Sequence, residues 1–386
     1  MSTTASSFAS PTRPASWSWE ATSESVAARY GIPVEQVVRF DQNTAPSPPE
    51  LVGELLAAGV FEVPLSEYPP SDYGRLVAAA AERYGVGRDE LLVGAGADEI
   101  LDLCAKAFLP AGGAAVVPVP TYPMYGILTD QRRAAVVRVP RRGADAGHAL
   151  DVDAIRAAVA EPADNGALPA VVWLCSPNNP TGRAEPEGVV AGLLDALARD
   201  AGAAGRPDPT VVLDEAYTEF TGGSLAGLRA GYPRLVVLRT MSKAYSIAGL
   251  RVGFAVARPE IIEEIAVYRP PGSVSNVSVD VAAALLSDPA LAPSRVAAIS
   301  AERERFTEAL GAAGWNPQPS TTNFLLVEFG STEAAEATAE ALLSRGLIPR
   351  TFPADHPLAH SLRLTVRNQE QDDRLVEAAR EIVSAS

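Results

Sequence analysis

Lysine is almost absent from this chain. Of the 32 lysines and arginines among 386 residues, only Lys106 and Lys243 are lysines. Arginine keeps its proton in proteins, whereas a desolvated lysine can become a free amine and attack a carbonyl carbon. Lys243 is therefore a candidate for covalent chemistry, because the hydroxyls of Thr240 and Ser242 and the guanidinium of Arg251 lie close to it in the sequence. Lys106 lies in a predicted amphipathic helix and is expected to face solvent.

Cysteine and histidine are scarce as well. Cys104 and Cys175 lie in apolar runs and cannot form a disulfide framework, so both are predicted to be buried thiols. The histidines occur in loop-like segments with no cysteine or carboxylate pair beside them, and no metal site is predicted. The three are His148, His356 and His360.

The chain also lacks long apolar runs and an excess of positive charge. No run of about eighteen apolar residues is present, and residues 1–18 have no apolar core of a signal peptide. The net charge of −15 disfavours binding to nucleic acid or to a membrane surface. We therefore predict a cytoplasmic protein that acts on small molecules, with residues 1–18 as a flexible leader.

Short apolar segments alternate with helical patterns in the middle of the chain. Residues 171–175, 210–213, 235–238 and 252–257 are apolar throughout, as expected for strands buried on both faces of a sheet. Apolar spacing in residues 187–201 predicts a helix between the first two strands. This order predicts an α/β domain with a mostly parallel sheet flanked by helices.

The last hundred residues follow a different pattern. Residues 323–329 and 361–366 contain β-branched and aromatic side chains, and each segment precedes a helical pattern. This predicts a smaller α+β domain, to which residues 30–43 return. The predicted limits are 46–280 for the large domain, and 19–45 with 281–386 for the small domain.

Polar side chains follow three of the predicted strands. Residues 176–182 follow the first strand, and residues 214–217 and 240–243 follow the next two. Because the carboxyl ends of parallel strands meet at one edge of a sheet, we expect these side chains to converge. Each segment alone is explained by a turn, a helix cap or a solvated lysine. The three together predict a catalytic site.

These segments resemble those of the fold-type-I aminotransferases that use pyridoxal phosphate. The resemblance extends from about residue 30 to the end of the chain, and the histidinol-phosphate aminotransferase branch is the most similar. It implies an aspartate-aminotransferase-like fold, a homodimer and the cofactor pyridoxal 5'-phosphate. The implied reaction converts histidinol phosphate and 2-oxoglutarate to imidazole acetol phosphate and glutamate.

The resemblance assigns five residues to the cofactor ring. Lys243 is similar to the lysine that forms the Schiff base and later carries the substrate proton. Asp214 resembles the acid that keeps the pyridine nitrogen protonated. Tyr217 and Asn179 resemble the donors to the phenolic oxygen. Tyr122 resembles the aromatic side chain that stacks on the ring, with ordinary packing as its alternative.

A glycine-rich turn at residues 94–97 precedes a helix predicted over residues 98–108. The first amides of such a helix can face an anion, and the resemblance implies that they bind the cofactor phosphate together with hydroxyl and guanidinium groups. Tyr68 resembles the tyrosine that reaches the phosphate in the neighbouring subunit, with an ordinary loop tyrosine as its alternative. The other implied phosphate residues are Ala97, Asp98, Thr240, Ser242 and Arg251.

Three residues are assigned to the substrate by the same resemblance. Arg363 resembles the arginine whose planar fork binds a substrate carboxylate, with a surface arginine as its alternative. Asn43 lies where the family has a loop that lines the substrate pocket. Arg350 is a candidate for a second contact with an anion.

Two departures from the family leave the substrate open. Residues 44–48 differ from the usual Glu-Asn-Pro with a following glycine, and Trp17 and Trp19 stand where relatives often have a tyrosine. An aromatic-amino-acid aminotransferase and a threonine-phosphate decarboxylase are therefore alternatives. A non-catalytic binding protein on the same fold is a third, because one fold hosts many activities.

Overall fold

The computed structural model describes residues 21–59, 61 and 63–384. The predicted leader, residues 1–18, lies outside this part together with Trp19, so its character stays a prediction. Within the described part, no helix is long and apolar enough to cross a membrane.

The helices are Ser23–Tyr30 (α1), Glu50–Ala58 (α2), Gly74–Tyr84 (α3), Gly96–Phe108 (α4), Met124–Gln131 (α5), Val152–Ala160 (α6), Glu187–Ala203 (α7), Pro259–Ala266 (α8), Asn276–Ser287 (α9), Leu291–Ala312 (α10), Thr332–Leu343 (α11) and Gln369–Ser384 (α12). The strands are Val38–Arg39 (β1), Leu91–Gly94 (β2), Ala114–Val119 (β3), Ala135–Pro140 (β4), Pro169–Cys175 (β5), Thr210–Asp214 (β6), Leu235–Thr240 (β7), Gly253–Val256 (β8), Asn316–Pro317 (β9), Phe324–Glu328 (β10), Leu347–Ile348 (β11) and Ser361–Thr365 (β12).

A seven-stranded sheet forms the centre of the molecule, in the order β2-β8-β7-β6-β5-β3-β4. Neighbouring strands from β7 to β4 are parallel, which confirms the mostly parallel sheet. Strand β8 runs antiparallel to both of its neighbours. The chain enters β8 from β7 without an α-helical crossover, and a parallel pair would require a long connection. The apolar composition of residues 252–257 does not indicate whether this strand runs parallel or antiparallel to its neighbours.

Helices cover both faces of this sheet. Along β6, Val211 and Leu213 enter one hydrophobic core while Val212 enters the other, because successive side chains of a strand point to opposite faces. The first core includes side chains from α3, α6, α7 and α9, and the second includes side chains from α4, α5 and α8. Burial on both faces explains why the strands are apolar throughout.

A second group of elements packs around a third hydrophobic core. Strands β12, β10 and β9 form an antiparallel sheet, and α10, α11 and α12 contribute to the core beside it. Residues near the beginning of the chain join it, since β1 pairs with β11 and Phe40 is fully buried there. The predicted fold class is confirmed. The domain limits at residues 46, 280 and 281 stay predictions.

Candidate active site

A cavity of about 500 Å³ opens at the carboxyl ends of β5, β6 and β7. It brings together twelve of the fourteen residues that the sequence predicts for the site. An adjoining cavity of about 250 Å³ contains Arg350 and shares three residues with the first. Tyr68 lines neither cavity and is 92% exposed. The twelve are Asn43, Ala97, Asp98, Tyr122, Asn179, Asp214, Tyr217, Thr240, Ser242, Lys243, Arg251 and Arg363.

Asp214 is the last residue of β6, and its carboxylate is buried at the cavity wall. Its Oδ1 accepts a hydrogen bond from the Ala216 backbone N–H at 2.9 Å, and its Oδ2 accepts one from the Tyr125 hydroxyl at 2.8 Å. Burial raises the pKa of Asp214, and these two donors oppose that rise. The arrangement holds an acid in one orientation toward the cavity.

Lys243 lies three residues after the end of β7 and lines the cavity. The Nζ atom donates to the backbone carbonyl of Gln42 at 3.4 Å and lies 5.7 Å from the centre of the Tyr217 ring. Burial and then the Arg363 guanidinium lower the pKa of Lys243 to about 8. A larger fraction of this amine is therefore neutral near physiological pH than in an ordinary lysine.

The other lysine has a different environment. Lys106 lies on α4 and pairs with Asp102 one turn earlier, with 2.6 Å between Nζ and Oδ2. Both side chains are more than one-third exposed, and Lys106 does not line the cavity. An exposed pair at this spacing contributes little to stability. Lys106 thus occupies the solvent-facing position predicted for it.

Two adjacent asparagines in the loop after β5 have separate roles. Asn178 is fully buried, and its amide binds Thr121, Thr181 and the backbone of Pro120. Asn179 lines the cavity, and its Oδ1 accepts from Arg363 at 2.6 Å. The first asparagine therefore fixes the loop, and the second presents its amide group to the cavity.

A possible anion cradle lies at the beginning of α4. The helix starts at Gly96 without a side-chain cap, so its first backbone amides are not taken by a capping group. Gly96 has φ +81°, and a Cβ atom there would overlap the Arg251 guanidinium. Gly253 is restricted by backbone atoms, because its Cβ would come within 2.7 Å of the Ala97 nitrogen. Only glycine allows this close approach of helix, strand and arginine.

Hydroxyl groups complete this end of the cavity. The Thr240 and Ser242 hydroxyl oxygens are 3.0 Å apart, and Arg251 is 3.1 Å from a carboxylate oxygen of Asp98. The other carboxylate oxygen of Asp98 accepts from the Tyr122 hydroxyl at 3.0 Å. Amides, hydroxyls and a guanidinium in one place are suited to bind a phosphate group.

Residues 40–44, called the strap below, cover the opposite side of the cavity. Five consecutive backbone carbonyls of the strap each accept a hydrogen bond from a side chain of a distant residue. Sequence reasoning found only Asn43 in this segment, because carbonyl acceptors leave no signature in residue type. From residue 40 to residue 44 the donors are Thr365, Arg363, Lys243, Asn323 and Arg367.

Arg363 connects the strap to the sheet side of the cavity. Its guanidinium donates to the Asp41 carbonyl and to Asn179, and its Nε atom is buried with no hydrogen-bond partner. Burial lowers the pKa of Arg363 to about 10, so the group stays cationic at neutral pH. Arg350 bonds to Arg363 through their backbones at 3.0 Å. The two arginines of the predicted anion site are therefore neighbours.

Tyr125 was missed by sequence reasoning although it touches Asp214. It lies three residues after Tyr122 at the beginning of α5, and its ring is fully buried. Because Tyr122 precedes α5, helical spacing does not link the two residues, and the sequence carried no signal for this contact. In residues 21–59, 61 and 63–384, no group of three or more histidine, cysteine, aspartate or glutamate side chains is arranged to hold a metal ion.

The fold and the cavity together define an α/β protein of the aspartate-aminotransferase type. The model of the family described as aminotransferase class I and II matches residues 40–378. The chain belongs to this family, which confirms the resemblance seen in the sequence.

Known proteins of several activities are similar to the chain. The histidinol-phosphate aminotransferase of Roseiflexus castenholzii is 37% identical over 370 residues, which cover 93% of each protein. The structure of histidinol-phosphate aminotransferase from Sinorhizobium meliloti in complex with pyridoxal-5'-phosphate superimposes with a TM-score of 0.83 at 24% identity, covering 99% of each chain. The structure of L-threonine-O-3-phosphate decarboxylase from Porphyromonas gingivalis superimposes with a TM-score of 0.72 at 23% identity, covering 90% of this chain and 100% of that chain. The fold therefore does not separate transamination from decarboxylation.

Proposed function

We propose that the chain is a pyridoxal-phosphate-dependent aminotransferase that acts on histidinol phosphate and 2-oxoglutarate. The observation that carries the proposal is one cavity with a buried acid, a lysine of lowered pKa and a glycine-bounded anion cradle. The identity of 37% to a histidinol-phosphate aminotransferase over almost the whole chain supports the substrate. We propose transamination in the cytoplasm, as the sequence predicts.

The residues of the cavity fit the cofactor in size and chemistry. When bound, pyridoxal phosphate supplies an aldehyde joined to a ring that accepts electrons. Asp214 would hold the ring nitrogen, and Tyr217 and Asn179 would contact the phenolic oxygen. Tyr122 would pack on the ring. The phosphate would be held by the amides of Ala97 and Asp98 with Thr240, Ser242 and Arg251.

Lys243 is proposed as both the attachment point and the proton carrier. With its pKa lowered to about 8, the amine reaches its neutral form without strongly alkaline conditions. A neutral amine can accept the proton from the substrate α-carbon, and the resulting ammonium can return it. The positive charge of Arg363 disfavours the protonated form of Lys243 and therefore favours release of the proton.

The adjoining cavity is proposed to receive the anionic end of the substrate. Arg350 and Arg363 both line it, together with the stacked rings of Phe352 and His356, whose centres are 4.9 Å apart. Two guanidinium groups suit the phosphate of histidinol phosphate or a carboxylate of 2-oxoglutarate. A phosphothreonine substrate would satisfy the same arginines, so the bond that is cleaved needs a direct test.

The experiment is a substrate panel read from the visible absorption of the loaded protein. Histidinol phosphate, phenylalanine, tyrosine and phosphothreonine are each added alone, and carbon dioxide release is measured in parallel. We expect rapid spectral conversion by histidinol phosphate, with recovery on addition of 2-oxoglutarate. Faster conversion by phenylalanine or tyrosine would favour an aromatic-amino-acid aminotransferase, and carbon dioxide release would favour the decarboxylase. A colourless protein that takes up no pyridoxal phosphate would favour a binding protein.

We also propose a homodimer in which Tyr68 reaches the phosphate of the partner subunit's cofactor. Tyr68 and Val267 are 92% and 79% exposed, and Leu65, three residues before Tyr68, is 65% exposed. The loop with Leu65 and Tyr68 is held in place by Asn276, whose Nδ2 donates to two of its carbonyls. Ordered apolar side chains on a surface are typical of protein interfaces.

Light scattering after size exclusion tests the dimer. We expect a mass of twice the 40.3 kDa of one chain. Val267→Glu is expected to give monomers and to weaken cofactor binding, whereas Val34→Glu, at a position 47% exposed, should leave the dimer intact. A monomeric parent chain that binds cofactor normally would contradict this assembly.

A further inference from the structure

The Tyr125 hydroxyl is buried against the carboxylate that the proposed function assigns to the cofactor ring. Its oxygen is 2.8 Å from Asp214 Oδ2, and both side chains are almost completely shielded from solvent. Tyr125 does not line the cavity, so it acts on a bound molecule only through side chains that do, and its direct hydrogen bond is to Asp214. A buried hydrogen bond to a charged group is stronger than an exposed one, because water does not compete.

Two aromatic rings pack against the Tyr125 ring, and a hydroxyl group holds its backbone. It stacks on Trp173 with 5.8 Å between ring centres and an angle of 8°, and the edge of Tyr122 meets it at 5.7 Å. Thr129 links the two ring systems, since its hydroxyl accepts from Trp173 Nε1 at 3.1 Å and donates to the Tyr125 carbonyl at 2.7 Å. This packing leaves the Tyr125 hydroxyl little freedom to turn away from Asp214.

The hydroxyl acts on Asp214 as a donor. Burial raises the pKa of Tyr125 well above its ordinary value, so the phenol keeps its proton. Donors favour the ionised form of a carboxylate, and among the residues that the structure describes this hydroxyl and one backbone amide donate to Asp214. Other titratable groups around Asp214 act through space. They are Asp98, Lys243, Cys175, Tyr122 and Tyr217.

We infer that Tyr125 is a positioning residue that holds Asp214 ionised and oriented toward the ring nitrogen of the cofactor. The inference rests on the proposed function, because it assumes that Asp214 meets a protonated pyridine. The cationic ring binds well only while Asp214 is ionised. The affinity for pyridoxal phosphate therefore falls at low pH, and Tyr125 sets the pH at which this happens.

The test measures the dissociation constant of pyridoxal phosphate by equilibrium dialysis from pH 5 to pH 9. In Tyr125→Phe the acidic midpoint is expected to move upward by about one pH unit, since one charged hydrogen bond is lost. Below the midpoint, binding should be about 10-fold weaker than in the parent chain. Circular dichroism and the thermal midpoint establish that the variant is folded.

A matched control removes a similar hydroxyl far from the cavity. Tyr232 is buried, and its hydroxyl donates to the Pro209 carbonyl at 2.7 Å. Tyr232→Phe should lose comparable stability and leave the pH profile of cofactor binding unchanged. In Asp214→Asn, the affinity for pyridoxal phosphate should not show the loss at low pH that protonation of Asp214 causes. Adding Tyr125→Phe to this variant should produce no further shift of the pH profile.

The outcomes separate the two proposals. A parent chain that binds no pyridoxal phosphate at any pH would overturn the proposed function together with the role of Tyr125. A parent that binds, with a Tyr125→Phe profile that superimposes on it, would overturn the role of Tyr125 alone. A shift of equal size in the Asp214→Asn background would do the same, because Tyr125 would then act through another group.

Discussion

The two walls of the cavity are built in different ways. The sheet wall consists of residues that end strands, lie shortly after them or begin α4, such as Asp214, Lys243 and Ala97. The strap wall consists of the strap and of Arg363 from β12, and it depends on hydrogen bonds between residues far apart in the chain. Arg363 and Asp41 are separated by 322 positions, and Lys243 and Gln42 by 201. One wall follows from local rules of α/β sheets, and the other from tertiary packing.

This difference separates two proposed tasks. The sheet wall carries the groups assigned to the cofactor, and the strap wall carries Arg363 and Asn43, which are assigned to the substrate. If the walls act separately, a substitution in one should change cofactor affinity, and a substitution in the other should change substrate kinetics. The predictions below test that separation, beginning with the largest expected effect.

Arg363→Lys should lower kcat/KM for 2-oxoglutarate by about 100- to 1000-fold, because lysine keeps the charge but loses the planar fork. The dissociation constant of pyridoxal phosphate should stay within about 3-fold of the parent value, since Arg363 belongs to the strap wall. Steady-state kinetics and equilibrium dialysis measure the two quantities. Arg206→Lys, which affects a contact with the Val159 carbonyl, is the control. An equal loss in cofactor affinity would show that the walls are coupled.

The attachment of cofactor to the apoprotein should depend on pH through Lys243. A lysine with a pKa of about 8 is neutral above that pH and protonated below it. The rate of attachment should therefore rise by about 90-fold from pH 6 to pH 9 and then level off. Stopped-flow absorption measures the rate, with a simple alkylamine as the reference for the aldehyde's own titration. A rate that keeps rising to pH 10.5 would mean that the cavity does not lower this pKa.

Gly96→Ala should weaken pyridoxal phosphate binding by about 10- to 100-fold, because the new Cβ meets Arg251 in the cradle and φ is positive. KM for substrates should be almost unchanged in the fully loaded variant. Gly222→Ala is the matched control, since φ there is +77° with no atom within 4 Å of the new Cβ. Equal weakening in the control would assign the effect to general backbone strain.

Asn43→Ala should have the smallest effect, about 3- to 10-fold in kcat/KM. Asn43 Nδ2 donates to the Tyr217 hydroxyl at 2.9 Å, so this residue joins the strap wall to the sheet wall. The pH midpoint at which the visible absorption of the loaded protein changes should also shift, because the Tyr217 hydroxyl loses a hydrogen-bond donor. Asn165→Ala removes an amide that donates to two carbonyls just before the beginning of β3 and should change neither property.

The sheet wall could be predicted from the sequence because each of its residues has a local signal. Uninterrupted apolar runs mark the strands, and the polar residue after each run lies at the edge where loops converge. The direction of β8 and the contribution of Tyr125 were not predicted. Strand direction depends on the path of the connection, and the Tyr125 contact on how α5 packs beside β6.

The strap wall could be predicted only in part. The resemblance pointed to Asn43, Arg350 and Arg363. In the structure Asn43 lines the larger cavity, Arg350 lines the adjoining one, and Arg363 lines both. The carbonyl contacts of residues 40–44 were not predicted, because every residue has a carbonyl and its partner is set by the fold. The role of Tyr68 depends on a second chain and stays a prediction.

The most direct test of the account is to locate the covalent link between chain and cofactor. The loaded protein is reduced with borohydride and digested, and the modified peptide is identified by mass spectrometry. With only two lysines in the chain, the account predicts modification of Lys243 and an unmodified Lys106. Modification of Lys106 alone, or pyridoxal phosphate that binds the cavity without any link to Lys243, would contradict it.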